Sequence, residues 1–263
     1  MSSTLQLSTI RLRVADLDRS IAFYQTQIGL HLNHRDGSTA AFATRAHADS
    51  LLFLTEDRLA KAAPADAAGL FHAALLFPSR AALGRWLRQA ANAGVKFDGF
   101  SDHRVSEALY FRDPDGNGLE FYSDRPRSAW PYENGQLQMA TDPLDLPDLL
   151  AAGATFSEAN PLDGAYWGHL HLRVTELNRS AAFYGEHLGM SPMVRYGSSA
   201  QFLAADGYHH HLGLNTWGGV RQPQPKGSLG LIQAVFARAG TTSEITLTDP
   251  DEIALRIVPL KQS

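Results

Sequence analysis

Eleven His and no Cys set the terms for any chemistry this 263-residue chain performs. Without a thiol, disulfides, thiolate metal sites, iron–sulfur clusters and Cys nucleophiles are all excluded. Imidazoles are then the conspicuous reactive groups, and a pKa near neutrality suits them to acid–base work and to metal ligation. They sit in distinct settings: His72 in GLFHAALLF, His169 and His171 in GHLHLRV, His103 in SDHRVSEALYF, and the run His209, His210, His211 in GYHHHLGLNTW. That run lies away from either terminus, which excludes an expression tag. If Leu212 and Leu214 face an apolar layer, strand alternation turns His209 and His211 to the opposite side and His210 toward the layer behind, and a bulge would reverse the parity. Taken singly, His72 also reads as a hydrogen-bonded core histidine, His103 as part of a solvated strand face and the triple His as a surface run.

The elements that must carry these residues come from a duplication. LRVADLDRSIAFYQTQIGL (12–30) matches LRVTELNRSAAFYGEHLGM (172–190), with about half the positions identical. In each copy an alternating segment ends at Val14 or Val174, and apolar residues then fall three and four apart, with Leu17, Ile21 and Tyr24 in one stripe and Leu177, Ala181 and Tyr184 in the other. A strand therefore leads into a helix, stopped by Gly29 or Gly189, and short alternating runs follow as strands. One unit is βαβββ. GLFHAALLF opens another unit, in which Ser79 caps a helix bearing Leu83, Trp86, Leu87 and Ala90 and ending at Gly94. Its last two strands, ALYF and GLEFY, are joined by DPDGNG, a dense turn sequence. GLIQAVFA and DPDEIALRIV repeat parts of that unit with the helix largely missing.

The expected fold is α+β, with four βαβββ modules, the fourth abbreviated, in two domains at 5–126 and 165–260. A Pro-, Gly- and Asp-rich connection spans 127–164, with one short helix near Leu146 to Ala152. Hydrophobic residues at 44% and charged ones at 19% describe a globular chain. A formal net charge of −4 with no basic block argues against nucleic acid as a partner. No apolar run reaches the ~18 residues needed to cross a bilayer, and the start lacks a signal-peptide layout, so a cytoplasmic protein without membrane contact is expected.

The motif LRVxDLxRSxAFYxxxLG after an opening strand, with the closing DPDGNGLEFY, resembles the vicinal oxygen chelate superfamily of glyoxalase I, extradiol dioxygenases and bleomycin-resistance proteins. SDHRVSEALYFRDPDGNGLEFYSDRP, MATDPLDL and GYHHHLGLNTW are similar to its two-domain catechol 2,3-dioxygenase-like branch, and the likeness covers nearly the whole chain. The resemblance implies two glyoxalase/dioxygenase-like domains in which paired modules cup a divalent metal, with ligands from the first and last strands of each module. Those positions fall on His169 and the run His209, His210, His211 in module three, and on His72 and Glu120 in module two. Module one has Thr9 and Leu51 there. Module four has Gln233 and Arg256, and a guanidinium repels a cation.

Extradiol relatives generally draw their ligands from modules three and four, a pairing that fails here. If modules two and three share a cavity, His72, His169 and Glu120 form the two-His, one-carboxylate triad suited to non-haem Fe(II), with Mn(II), Zn(II) and Ni(II) as alternatives. The resemblance then implies extradiol cleavage of a small aromatic substrate by dioxygen. A last-strand His serves as acid–base group, with His211 preferred on alternation, His209 next, and His210 favoured by some relatives. Two other readings remain open: a glyoxalase-like lyase or isomerase, marked by His211 as a fourth ligand, and a metal-free binding protein of the bleomycin-resistance type. His103 and Glu107 could line the pocket, and Trp217, Phe202, Tyr208 and Tyr122 could wall it. Arg13 and Arg173 read as structural partners of carboxylates. Module four's missing helix leaves sheet to be covered by a homodimer partner or by the connection.

Overall fold

The computed structural model describes residues 4–46, 49–155 and 159–261, so residues 156–158 of the expected connection lie outside it. Module one contains β1 (Leu5–Val14), α1 (Leu17–Ala22) continued by a π-helical turn over Phe23–Ile28, β2 (His31–Asp36), β3 (Thr39–Ala43) and β4 (Leu52–Glu56). Module two contains β5 (Gly69–Leu76), α2 (Arg80–Asn92), β6 (Phe97–Asp102), β7 (Ser106–Arg112) and β8 (Gly118–Asp124). The connection holds a small hairpin, β9 (Tyr132–Glu133) and β10 (Gln136–Leu137), and α3 (Leu146–Ala152). Module three contains β11 (Tyr166–Arg173), α4 (Leu177–Leu188), β12 (Ser191–Tyr196), β13 (Ala200–Ala204) and β14 (Leu212–Asn215). Module four is β15 (Gly230–Arg238), β16 (Ile245–Thr248) and β17 (Ala254–Pro259), and its described residues include no helix. The protein is thus α+β, with few helices against two large curled sheets. No helix among the described residues is long and apolar enough to cross a membrane.

Strand pairing joins modules that are not consecutive in the chain. One sheet has the order β16-β17-β15-β1-β4-β3-β2 and combines modules one and four, while the other, β12-β13-β14-β11-β5-β8-β7-β6, combines modules two and three. Each therefore takes one module from either side of the connection. Both have an antiparallel seam at their centre, β1 with β15 and β11 with β5, in matching register: Arg11 faces Gln233 where His171 faces His72.

The helices cover the outer faces because their apolar stripes demand it. The Ser79 side chain accepts a hydrogen bond from the Ala82 amide, a cap worth ~1 kcal/mol. From there α2 buries Leu83, Trp86, Leu87 and Ala90. The Trp86 ring lies 4.4 Å from Phe121 and 5.4 Å from Phe111, and its indole N–H donates to the Ile28 carbonyl. Gly29 and Gly189 end the two duplicated helices in the left-handed region, at φ of 92° and 71°, as glycine permits at low steric cost.

The AFY tyrosine of each copy reaches the DPD turn of the next module. Tyr24 donates to Asp113 at 3.1 Å, and Tyr184 to Asp249 at 2.8 Å. The same aspartates organise their turns by accepting backbone amides, Asp115 and Asn117 in one, Asp251 and Ile253 in the other. Sheets thus tie module one to four and two to three, and these bonds tie one to two and three to four.

Candidate metal centre

The seam of the eight-stranded sheet assembles the site. His72 lies on β5, His169 and His171 on β11 beside it, and Glu120 on β8, the parallel neighbour of β5. His72 Nε2 is 2.9 Å and His169 Nε2 3.2 Å from Glu120 Oε2, and the ligand-capable atoms of all three lie within 4.8 Å of one another. All three residues are buried. The His72 contact is short but lacks hydrogen-bond geometry, leaving a buried Nε2 without a hydrogen-bond partner, and His169 Nδ1 is likewise unpartnered. Burying such groups unsatisfied costs free energy, and a cation held beside Glu120 would remove that cost for His72 Nε2. The donor set fits a divalent metal.

The protonation states agree. Burial lowers His169 to about 4, outweighing the attraction of Glu120, so the ring is neutral at pH 7. Burial also holds His171 well below its ordinary range, reinforced by the neighbouring imidazoles of His72 and His169. For Glu120 burial acts upward, but His169 and His72 together overcome it and keep the carboxyl well below its usual range. Neutral imidazoles beside a carboxylate are the forms that bind metal.

Local packing fixes these side chains. A Cβ at Gly168 would collide with the Tyr122 hydroxyl, and one at Gly213 would meet the His171 ring at 2.8 Å. The Asn215 amide donates to His171 Nε2 at 3.0 Å, which sets the ring's orientation.

His72, Glu120 and His171 face a cavity of about 270 Å³. Phe71, Phe202 and Trp217 supply aromatic walls, and Met139 and Thr141 reach in from the connection. His103 also lines it: its Nδ1 lies 2.6 Å from the Ala140 carbonyl, which only accepts, so Nε2 accepts the Tyr110 hydroxyl at 2.6 Å. Burial, then the charge of Glu120, keeps the Tyr110 phenol well above its ordinary pKa and therefore protonated.

Of the three consecutive His, His210 is the one that lines this cavity, its ring centred 4.1 Å from that of His169. His211 lines a second cavity, and its Nδ1 accepts the Ala205 amide at 3.2 Å. His209 is wholly buried and bonded to His210 and Asp124. The parity expected from alternation fails because 205–211 is an irregular segment with a turn at 206–207, and the strand begins only at Leu212.

Other expected residues fall elsewhere. Buried Glu107 pairs with Arg80 and Arg125, and Tyr122 and Tyr208 bond to each other behind the site. Arg13 lies 3.8 Å from Asp57, whereas Arg173 donates to the Ala65 carbonyl instead of a carboxylate. Tyr110, Phe71 and Tyr196 are lining residues that the sequence reading missed. For Tyr110 a signal existed: the DPDGNG hairpin pairs it directly with Glu120.

Comparison with known proteins agrees with this architecture. Residues 6–121 match the family described as the Glyoxalase/Bleomycin resistance protein/Dioxygenase superfamily. The chain is 39% identical over 228 residues to a catechol-2,3-dioxygenase of Bacillus subtilis (strain 168), covering 84% of this chain and 78% of that one. It is 28% identical over 170 residues to a biphenyl-2,3-diol 1,2-dioxygenase of Rhodococcus globerulus, covering 60% of this chain and 88% of that one. Glyoxalase I from Zea mays shares the fold, with a TM-score of 0.58 at 18% identity over 98% of this chain and 93% of that one. With a relative this similar over most of its length and a match to the family itself, the chain belongs to the glyoxalase, bleomycin resistance protein and dioxygenase superfamily.

Proposed function

We propose that this protein is a metal-dependent extradiol dioxygenase that cleaves a catechol-type aromatic, with His72, His169 and Glu120 as the metal ligands. The observation that carries this reading is a buried two-imidazole, one-carboxylate group opening onto an aromatic-walled cavity. The likeness to the Bacillus subtilis enzyme supports it. Nitrogen and oxygen donors in this ratio suit Fe(II), with Mn(II), Zn(II) and Ni(II) accepting similar sets. Such a metal, held by these three side chains, would supply Lewis acidity toward the diol and a path for electrons between diol and dioxygen.

The chain's own residues do the rest. Phe71, Phe202 and Trp217 hold a planar ring and exclude water. His210 stands where it can take a hydroxyl proton from the diol and return it to the ring-opened product. The hydrogen bond from Tyr110 to His103 pins the phenol oxygen at the cavity wall near Glu120. Overall, one carbon–carbon bond beside the diol breaks, both atoms of dioxygen enter the product, and no outside reductant is consumed. His211, whose ligation would have favoured a lyase or isomerase, contacts a different cavity.

Protein purified without chelator, loaded with Fe(II) anaerobically and given catechol, is expected to form a yellow ring-cleavage product only when oxygen is admitted. No product across a catechol panel, with metal bound, would overturn the reading. Aromatic binding with no metal uptake would point to the binding-protein alternative.

A further inference from the structure

Behind His210 a directed set of hydrogen bonds runs from the cavity wall to the second cavity, of about 880 Å³. His210 Nδ1 lies 2.8 Å from His209 Nδ1, and His209 Nε2 lies 2.8 Å from Asp124 Oδ1. The other oxygen of Asp124 accepts the Tyr208 hydroxyl at 2.8 Å, and Tyr208 stands 2.9 Å from the Tyr122 hydroxyl. Asp124 and Tyr208 line the second cavity, while His209 is fully buried between the two spaces.

Two ring nitrogens facing each other at 2.8 Å share one hydrogen, and the far end of the set decides which ring owns it. A carboxylate only accepts, so His209 must carry its hydrogen on Nε2. With that single hydrogen on Nε2, His209 keeps a lone pair on Nδ1, and His210 donates from its own Nδ1. That leaves Nε2 of neutral His210 unprotonated and without a hydrogen bond among the described residues, on a ring that lines the metal cavity. The tyrosines obey the same logic from the other side: Tyr122 donates to Tyr208, and Tyr208 to Asp124. Two lines of donors converge on one carboxylate.

We infer that Asp124 and His209 are positioning residues for the reaction proposed above: they lock His210 as its Nδ1–H tautomer, so that its Nε2 lone pair is presented to the substrate's hydroxyl. The role in ring cleavage rests on the functional reading; the tautomers rest on hydrogen-bond direction in a His209 that carries a single ring hydrogen. A carboxylate that orients an imidazole is familiar from hydrolase triads, where the acid acts through the ring it holds and not on the substrate. Here an extra imidazole lies between the two.

Long-range 1H–15N spectra of the metal-free protein report which nitrogen of each ring bears hydrogen, with the signals assigned by their loss in His209→Gln and His210→Gln. The expected pattern is Nε2–H for His209 and Nδ1–H for His210. The reversed pair, a doubly protonated His209, or rings averaging between tautomers overturns the lock. In the Fe(II)-loaded enzyme, Asp124→Leu should lower kcat roughly 10- to 100-fold with KM for catechol and metal content unchanged. Asp124→Asn keeps an accepting oxygen and should recover part of the loss. Unchanged kcat in Asp124→Leu, or a KM that rises in step with the loss, overturns the positioning role. The spectra need no Asp124 variant, so they decide the matter even if Asp124→Leu does not fold. A wild-type chain that shows the expected tautomers yet cleaves no catechol refutes the reaction and leaves the lock standing.

Discussion

The two sheets of this protein are built to one register and furnished with opposite chemistry. Where the eight-stranded sheet places His72, His169, His171 and Glu120 around its seam, the seven-stranded sheet places Gln233, Thr9, Arg11 and Arg256. Arg11 lies over the Phe53 ring at 4.5 Å, and Arg256 pairs with Glu244. Among the described residues, the six buried histidines all belong to modules two and three. A duplicated fold can therefore keep its backbone geometry while confining metal chemistry to one copy, since a handful of side chains at fixed seam positions decides which half can hold a cation.

The sharpest way to break this comparison is to empty the equivalent positions in turn. Glu120→Ala or His72→Ala is expected to abolish metal binding, measured by elemental analysis, and to reduce ring cleavage by more than ~1,000-fold. Thr9→Ala and Gln233→Ala should leave metal content unchanged. If Thr9→Ala removes metal as completely as His72→Ala, the two halves have been assigned the wrong way round.

Acid should also separate them. His169 and His211 are held at about 4 in the folded protein against an ordinary value of 6.5, chiefly by burial. Between those values the unfolded chain binds more protons, so stability is highest above pH 6.5 and is lost as pH falls toward 4. Each ring contributes up to about 3 kcal/mol across that window. Thermal scans of the metal-free protein should show Tm falling from pH 7 to 5, and hydrogen exchange should place the first opening at the β5–β11 seam.

A smaller effect is expected of Gly168→Ala, because a Cβ there collides with Tyr122. A loss of about 2 kcal/mol in chemical denaturation is expected. The matching position on β1 is Ser8, which carries a side chain hydrogen-bonded to the Val235 carbonyl, so Ser8→Ala should cost less. The smallest change is predicted for Arg256→Ala. Its partner Glu244 is about half exposed, and the loss should be under ~1 kcal/mol with activity intact, although Arg256 is the positional counterpart of Glu120.

Much of this was legible in the sequence because periodicity and repetition report backbone directly. Ser79 as a cap, the helix at 146–152 and the missing helix of module four all appear where the residues indicate. The family resemblance, laid over the repeat, also brought His72, His169 and Glu120 forward, because it implies ligands on the first and last strands of each module. What was hidden depends on backbone departures and on distant pairing. The orientation of His209, His210 and His211 could not follow from alternation, because the irregular segment 205–211 has no regular pleat. Met139 and Thr141 enter the cavity from an irregular connection, where no period announces which side chains turn inward.

The central pairing of the seven-stranded sheet has a consequence for biogenesis. Leu5 finds its partner in Arg238, so the ribosome must release the chain through module four before that strand's open edge is closed. Until then the nascent amino-terminal portion offers unpaired amides and carbonyls to any passing chain. Contacts this remote in sequence also make folding slow, and fragments truncated at the carboxyl end should aggregate well before the truncation reaches module three.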